Sequence, residues 1–372
     1  MFASRPVRSC RARRKCSATA RRYCFKMSSF AAFPPSLFHY QRSTMLAPLL
    51  FEPVYKDYLW GGERIAEKYH RRAPARCAES WELSDHPHGM SVVESGPLAG
   101  KTLRELLETH GEALLGTGVN PARFPLLIKL IDAKDRLSVQ VHPNEKTAPL
   151  TGGEPKTEMW YVLDGSPGMA VYAGLAPGVT PRLFAGNLQS GEMDAVLSRR
   201  QVRRGEVVFI PGGLVHAIDR GCLLYEVQQS SDTTYRLWDW GRVDVSGKPR
   251  ELHVEQAMKT IDWENRSDPF LAPSPARSLG MNQETELIAN DFFIMKSYAL
   301  REPQHFDTTQ RRFGIFFTAG GTACFRWGED ALTVGEGRTV LIPASLGSYH
   351  VEPVAGGAAD VLYVTLPPDR RR

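Results

Sequence analysis

The stretch "GEVVFIPGGLVHAI", residues 205–218, decides the fold. A short apolar run lies between a glycine and a Pro-Gly-Gly turn, and His216 follows the turn. Runs of this length bounded by glycine and proline are typical of β-strands. Similar runs fill the chain from about residue 50 onward, and helical patterns are few. We therefore predict an all-β protein.

Two segments have a helical pattern. In "KTLRELLETHGEALLG" (101–116), Thr102 is followed three residues later by Glu105, which is the spacing of a capping box. The leucines of this segment fall on one helical face. The segment "PRELHVEQAMKTIDWE" (249–264) is the second predicted helix.

Charge and composition exclude several classes of protein. The 372 residues are 42% hydrophobic and 23% charged, which is enough for two domains with full cores. No apolar run approaches the ~20 residues of a membrane span. Residues 1–50 contain ten Lys and Arg and no acid, whereas the remaining 36 Lys and Arg face all 41 acidic residues. The body of the chain is therefore acidic, and we expect neither nucleic acid nor a membrane as a partner.

Composition also divides the chain. Residues 1–44 are rich in Arg, Ser, Ala and Cys, and we interpret them as a basic extension, disordered or produced by a mis-assigned start, in preference to a transit peptide. A larger domain follows at 45–265, a Pro- and Ser-rich linker at 266–280, and a smaller domain at 281–372. The "GRTVLIP" of the smaller domain echoes "GEVVFIP" at 205–211, either by duplication of one β unit or by chance.

The six cysteines are scattered without paired spacing. This pattern favours reduced thiols over a disulfide framework. We therefore predict a cytoplasmic protein.

The stretch "LSVQVHPNE", residues 137–145, carries the first polar residues of a predicted site. Apolar and polar residues alternate, so Gln140 and His142 lie on the same face of one strand. Pro143 ends the strand, because proline cannot donate to a sheet ladder. Two side chains placed in this way can bind a single ion.

Other strands add the remaining ligand types. "KTEMWYVLDG" (156–165) places Lys156 and Glu158 on one face, and "LLYEVQQSSDTTYRLWDW" (223–240) carries Glu226 and Arg236. His216 in the stretch 205–218 adds a second imidazole. Two imidazoles and one carboxylate suit Zn²⁺ with an open position, and the same set suits non-haem iron. Each residue alone is more often structural, but the combination across successive strands favours a metal site.

These motifs resemble known families. The spacing of Gly205, Pro211 and His216 is similar to the second motif of the cupin superfamily, and Glu158 with Gly165 resembles the end of its first motif. "SVQVHPNE", "KTEMWYVL" and "QQSSDTTYRLWDW" closely resemble the short bacterial form of the type I mannose-6-phosphate isomerases. "YLWGG" and "AESWELSDHPHG" fit as well. The resemblance covers about residues 48–260 strongly and 281–372 weakly.

The resemblance implies a fold and a ligand set. The fold would be two cupin (jelly-roll-like) barrels, with a few helices added to the first. One Zn²⁺ per chain would be held in the first barrel by Gln140, His142, Glu158 and His216. The second barrel, at 281–372, would bind no metal, because His350 has no matching partners.

The resemblance also implies an activity. It is a zinc-dependent aldose–ketose isomerase that interconverts mannose 6-phosphate and fructose 6-phosphate through an enediol, with a sugar phosphate as its small-molecule partner. The implied catalytic residues are Arg236, Lys156 and Glu226. The base is left open between Lys156 and Glu226, and Arg236 either stabilises the developing oxyanion or binds the phosphate. The alternatives are an iron-dependent cupin dioxygenase and a non-catalytic sugar-binding cupin.

Overall fold

Antiparallel β-structure dominates the part of the chain that the computed structural model describes, residues 46–244, 246–308, 311–354 and 356–368. The predicted N-terminal extension, residues 1–44, lies outside the described residues. The described residues fall within one compact unit, Thr44–Arg372. In this part of the chain, no helix is long and apolar enough to cross a membrane.

The elements are short and mostly strands, as the sequence predicts. The helices are α1 (Arg64–Tyr69), α2 (Leu103–Leu115), α3 (Ala148–Thr151), α4 (Pro181–Ser190) and α5 (Val254–Thr260). The strands are β1 (Leu49–Glu52), β2 (Val54–Lys56), β3 (Glu79–Leu83), β4 (Asp85–His86), β5 (Gly89–Met90), β6 (Val92–Val93), β7 (Leu126–Ala133), β8 (Val139–Val141), β9 (Glu158–Gly165), β10 (Ala170–Leu175), β11 (Leu197–Gln201), β12 (Val207–Ile210), β13 (His216–Ile218), β14 (Cys222–Gln229), β15 (Tyr235–Trp238), β16 (Phe270–Leu271), β17 (Arg277–Leu279), β18 (Asn282–Ala289), β19 (Ile294–Leu300), β20 (Gln304–Asp307), β21 (Gly314–Trp327), β22 (Asp330–Gly335), β23 (Thr339–Ile342), β24 (Ser348–Pro353) and β25 (Ala359–Thr365).

Two antiparallel sheets build the part of the chain that carries the predicted site. The 7-stranded sheet has the order β16-β12-β9-β14-β7-β3-β2, and the 5-stranded sheet has the order β11-β10-β13-β8-β15. Trp160 from the first sheet and Val171 from the second belong to one buried apolar cluster. The two sheets therefore face each other, and the inward side chains of both meet between them.

The central strands β7 and β14 have different surroundings on their two faces. Leu130 and Tyr225 point to the outer face, where they join a second apolar cluster. Their neighbours Lys129 and Glu226 are direct cross-strand partners. Because successive side chains of a strand alternate between faces, these two charged groups point into the space between the sheets.

The C-terminal strands form most of an 11-stranded sheet, which β1 and β6 complete from the start of the described chain. Leu49 of β1 lies opposite Leu341 of β23. The rings of Tyr225 and Phe317 stack at 4.7 Å, so this sheet packs against the outer face of the 7-stranded sheet. The predicted linker, residues 266–280, carries β16 and β17, which pair with β12 and β18 respectively.

The two predicted helices have different outcomes. In α2, Thr102 Oγ1 accepts a hydrogen bond from the backbone N–H of Glu105, and Glu105 Oε2 accepts one from the N–H of Thr102, which confirms the capping box. Helix α5 is shorter than the predicted segment and begins at Val254. The preceding residues are not helical, because the N–H of His253 donates to the carbonyl of Arg236, which ties this segment to β15.

Candidate metal centre and active site

Three buried side chains meet between the two sheets. His142 Nε2 lies 3.5 Å from Glu158 Oε2, and His216 Nε2 lies 3.6 Å from Glu158 Oε1. Their ligand atoms all lie within 4.8 Å of one another, and none of the three side chains is more than 1% exposed. The sequence predicts these residues as ligands, and the fold brings them together.

Strand pairing places Gln140 in the same cluster. Gln140 of β8 lies opposite His216 of β13 on one side and opposite Arg236 of β15 on the other. Its side-chain Nε2 lies 3.3 Å from His216 Nε2. Since the oxygen is the ligand atom of a glutamine amide, metal binding by Gln140 requires the amide to turn by half a rotation.

Two glycines allow His142 and His216 to approach. The turn Pro211–Gly213 passes directly over the end of β8, where the N–H of Gly213 donates to the carbonyl of His142 at 2.8 Å. A Cβ atom at Gly212 would lie 2.6 Å from the carbonyl oxygen of Pro143, and Gly213 has a φ of +96°. Larger residues would push the turn and His216 away from β8.

Backbone carbonyls orient both imidazoles. His142 Nδ1 donates to the carbonyl of Thr233 at 2.9 Å, and His216 Nδ1 donates to the carbonyl of Leu214 at 2.8 Å. Burial lowers the pKa of His142 to about 3, with Lys156 adding to the shift, and burial also lowers the pKa of His216. Both rings are therefore neutral at pH 7, with the Nε2 lone pairs facing Glu158, which is the form that binds a metal.

Lys156 lies beside the same carboxylate. Its Nζ is 2.9 Å from Glu158 Oε2 and 3.1 Å from His142 Nε2. Burial alone raises the pKa of Glu158, but the charge of Lys156 outweighs it and holds the pKa well below its usual range. An ionised carboxylate between two neutral imidazoles fits a divalent metal.

A polar cavity of about 260 Å³ adjoins this cluster. It lies between the two sheets, and all but a few of the side chains that surround it are polar or aromatic. The lining residues that bear on function are Tyr58, Trp60, Glu79, Lys129, Ser138, Gln140, Lys156, Trp160, Glu226, Asp232, Arg236, Arg250 and His253. A cavity of this kind accommodates a small polar ligand next to the metal centre.

Glu226 belongs to a buried charged group at one wall of the cavity. Its Oε2 accepts a hydrogen bond from Trp160 Nε1 at 2.9 Å, and its Oε1 lies 3.2 Å from Lys129 Nζ. Lys129 also lies 3.5 Å from Glu79. Burial raises the pKa of Glu226, and the charge of Glu158 raises it further. Glu226 is therefore a stronger base than an exposed carboxylate.

Arg236 lines the cavity at the edge of the 5-stranded sheet. Its Nε donates to Ser138 Oγ at 3.2 Å, and its Nη1 donates to the carbonyl of Glu251 at 3.0 Å. A surface ion pair with Asp239 would be a purely structural role for Arg236. Within the described residues, Asp239 instead pairs with Arg242 and Arg250.

Comparisons with known proteins agree with this geometry. The family described as phosphomannose isomerase type I, catalytic domain, matches residues 49–171. The mannose-6-phosphate isomerase ManA of Bacillus subtilis is 35% identical over 317 residues, which cover 83% of this chain and 96% of ManA. The mannose-6-phosphate isomerase of Streptococcus mutans is 36% identical over 310 residues, covering 83% and 96%.

The chain belongs to the type I phosphomannose isomerase family. The crystal structure of the mannose 6-phosphate isomerase from Bacillus subtilis matches this type I phosphomannose isomerase chain with a TM-score of 0.79 and 28% identity, over 87% of this chain and 100% of the other. A phosphomannose isomerase structure from Salmonella typhimurium shares the fold at 17% identity, with a TM-score of 0.68. The resemblance inferred from the motifs is confirmed.

Sequence reasoning missed several residues that line the cavity of this phosphomannose isomerase family member. Lys129 had a detectable signal, because it is the one charged residue inside the apolar run "LLIKLI". Arg250 and His253 had none, since they lie in a segment predicted to be helical.

The three free cysteines of the described residues are Cys77, Cys222 and Cys324, all buried.

Proposed function

We propose that the protein is a zinc-dependent mannose-6-phosphate isomerase that interconverts mannose 6-phosphate and fructose 6-phosphate through an enediol. The observation that carries the proposal is the buried set of His142, Glu158 and His216 next to a polar cavity, in a member of this family. Gln140 completes the proposed ligand set. Two imidazoles, a carboxylate and an amide oxygen would hold one Zn²⁺ per chain.

The residues of the cavity have separate proposed roles. The reaction removes a proton from C2 and returns one to C1, while a proton moves between the two oxygens. A bound zinc ion would supply Lewis-acid stabilisation of charge on the substrate oxygens. We assign the transfer of the carbon-bound proton to Glu226, whose carboxylate is buried and unusually basic. Lys156 contributes positive charge next to the metal ligands.

Lys129 supports this assignment of Glu226. Its ammonium lies between the carboxylates of Glu79 and Glu226, and it is only 4% exposed. Burial lowers the pKa of Lys129, but Glu79 and Glu226 outweigh it, so the pKa lies above its ordinary value and the amine is charged. This charge and the indole of Trp160 hold the Glu226 carboxylate in one orientation. Lys129 is therefore a positioning residue.

We further propose that two parts of the chain have different roles. Residues 45–265 carry the proposed catalytic barrel, apart from β1 and β6, which join the C-terminal sheet. Residues 281–372 form a second cupin-like barrel that binds no metal and serves in packing. The facing 5- and 7-stranded sheets support the first barrel. The stacked rings of Tyr225 and Phe317 support a packing role for the second.

The experiment that tests the function combines metal analysis with a coupled assay. Purified protein is expected to contain about one zinc per chain and to convert mannose 6-phosphate into fructose 6-phosphate. Iron in place of zinc, without isomerisation, would favour the dioxygenase. Sugar-phosphate binding without turnover would favour a non-catalytic cupin.

A further inference from the structure

Residues 230–234 connect the two facing sheets beside the metal centre. They follow β14, where Gln228 lies opposite the proposed ligand Glu158. They precede β15, which pairs with β8 directly before the proposed ligand His142. The segment contains neither helix nor strand. Its position relative to the ligands therefore depends on individual hydrogen bonds, many of them from side chains, and not on a strand ladder.

The carbonyl of Thr233 in this segment orients His142. It accepts a hydrogen bond from His142 Nδ1 at 2.9 Å, which leaves the lone pair of Nε2 facing Glu158. A hydrogen bond to the other ring nitrogen fixes the orientation of a metal-binding histidine and makes it a better ligand. Because the acceptor here is a backbone atom, the residues that hold the segment in place also hold the imidazole.

Ser231 holds the segment through its hydroxyl. Its Oγ donates to the carbonyl of Glu154 at 3.2 Å and accepts a hydrogen bond from the N–H of Thr233 at 3.2 Å. The N–H of Glu154 in turn donates to Thr233 Oγ1 at 3.0 Å. Ser231 is fully buried, so removal of its hydroxyl takes a partner from the backbone on both sides of the contact.

Gln228 holds the start of the segment. Its Nε2 donates to the carbonyl of Ser231 at 2.6 Å and to the carbonyl of Gln229 at 2.9 Å, and the side chain is fully buried. Because Gln228 and Glu158 are direct cross-strand partners, their side chains leave the sheet on the same face. The amide of Gln228 therefore ties the segment to the strand pair that presents Glu158.

Gln229 links the same segment to the start of β9. Its N–H donates to the carbonyl of Thr157 at 3.0 Å, and its Oε1 accepts a hydrogen bond from the N–H of Thr157 at 2.7 Å. Thr157 directly precedes Glu158, and its Oγ1 accepts a hydrogen bond from the N–H of Gly212 at 3.2 Å. The hydrogen bonds of the segment thus reach both sheets that carry the proposed ligands.

We propose that Gln228 and Ser231 are positioning residues of the metal centre, which hold the His142 imidazole in the orientation that a divalent metal requires. This inference rests on the proposed zinc centre and goes beyond its ligand set. Neither side chain lines the cavity, so neither contacts a substrate bound there. Their substitution is expected to act on metal affinity through His142.

The test measures zinc affinity in Ser231→Ala and Gln228→Met, two variants that remove hydrogen bonds and add no charge. Each is expected to raise the dissociation constant for zinc about 10- to 100-fold, as substitutions behind a metal ligand do. Competition with a chromophoric chelator measures this constant. The visible absorption bands of the cobalt-loaded protein are expected to shift, because they depend on the geometry of the ligands.

Ser91→Ala is the matched control. Ser91 is also fully buried, and its Oγ accepts a hydrogen bond from the N–H of Ser84 at 2.8 Å. Neither of these serines lines the cavity. We expect the wild-type zinc affinity and the wild-type cobalt spectrum for this variant. Equal loss of zinc affinity in Ser91→Ala and Ser231→Ala would attribute the loss to general destabilisation and overturn the proposal.

The orientation of His142 can also be followed without a metal. Its Nδ1 proton is hydrogen-bonded and buried, so we expect a protected imidazole N–H resonance in histidine-labelled, metal-free protein, assigned by its absence from His142→Ala. This resonance is expected to shift or disappear in Ser231→Ala and Gln228→Met. An unchanged resonance and an unchanged zinc affinity in both variants would overturn the proposal. If Ser231→Ala does not fold, Gln228→Met decides the question.

Failure of this inference is distinguishable from failure of the proposed function. Wild-type protein that binds no zinc, but whose His142 resonance is lost in Ser231→Ala, would overturn the zinc centre and leave the positioning role standing. Wild-type protein that binds zinc and converts mannose 6-phosphate, with zinc affinity intact in both variants, would overturn the positioning role and leave the function standing.

Discussion

Gln140 and His216 are direct cross-strand neighbours in β8 and β13, with their side-chain nitrogens 3.3 Å apart. Residues separated by 76 positions in the chain thus occupy one face of one sheet. Glu158 reaches the same point from the facing sheet. The proposed metal centre therefore depends on the packing of the two sheets as well as on the motifs.

Removing either imidazole should remove the metal. His142→Ala and His216→Ala are expected to reduce bound zinc from about one per chain towards zero, and isomerase activity should fall with it, because the three remaining ligands include only one imidazole and hold the ion too weakly. Metal content measured by mass spectrometry, together with the coupled assay, checks this. His350→Ala is the control, since this exposed histidine pairs with His305 across strands far along the chain from the ligands. Full zinc in both ligand variants would rule out the proposed centre.

Glu226→Gln should separate proton transfer from metal binding. The variant keeps the shape of the side chain and should keep zinc, but kcat is expected to fall about 10²- to 10⁴-fold because the base is lost. In the wild type, the base works when deprotonated, so activity should decline as the pH falls through a pKa that lies above the ordinary glutamate value. The residual activity of the variant should not show this decline at low pH. An unchanged pH profile and kcat would assign the proton transfer to another group. Lys156 would then be the candidate base.

Local patterns in the sequence account for much of the site. The alternation in "SVQVH" predicts that Gln140 and His142 share a face, and their hydrogen bonds agree with it. Capping chemistry predicts the start of α2, because a cap is made within four residues. The resemblance to the motifs of the family predicts Glu158 and His216 as metal ligands.

Hydrogen-bond pairing between segments far apart in the chain determines the parts of the cavity and of the fold that local sequence patterns do not predict. Arg250 and His253 reach the cavity only because their segment hydrogen-bonds along β15 instead of continuing α5 towards its N-terminus. Likewise, β1 crosses to the C-terminal sheet, where Leu49 lies opposite Leu341. No local signal in residues 49–52 specifies a partner almost 300 positions away, since register depends on the whole apolar pattern.

A buried ion pair provides a prediction about stability. Arg71 binds Glu82 through two hydrogen bonds of 2.6 and 2.8 Å, and both side chains are at most 6% exposed. Arg71 also donates to the carbonyl of Gly337. Glu82→Gln should destabilise the fold by about 3–5 kcal/mol, because it leaves a buried guanidinium without its counter-charge. Thermal and urea unfolding measure this.

Glu94→Gln is the matched control for that variant. Glu94 pairs with Arg338, but both side chains are about one-third exposed. A surface pair of this kind contributes about 0–1 kcal/mol. Equal destabilisation by the two substitutions would contradict the importance assigned to burial of the Arg71–Glu82 pair.

Deleting residues 281–372 should expose apolar surface. The deletion removes the partner strand of β1 and the ring of Phe317 that stacks on Tyr225. We expect the shortened chain to aggregate when it is expressed, as followed by its soluble yield and by light scattering. A shortened chain that stays monomeric and fully active would refute the proposed packing role.

The most direct test of the central claim follows one preparation through metal removal and return. Conversion of mannose 6-phosphate to fructose 6-phosphate is measured as purified, after a chelator has stripped the metal, and after zinc is added back. Our account predicts that activity falls to background as the zinc content approaches zero, and returns as it approaches about one per chain. Full isomerase activity in the metal-free protein, or none in the zinc-loaded protein, would contradict it.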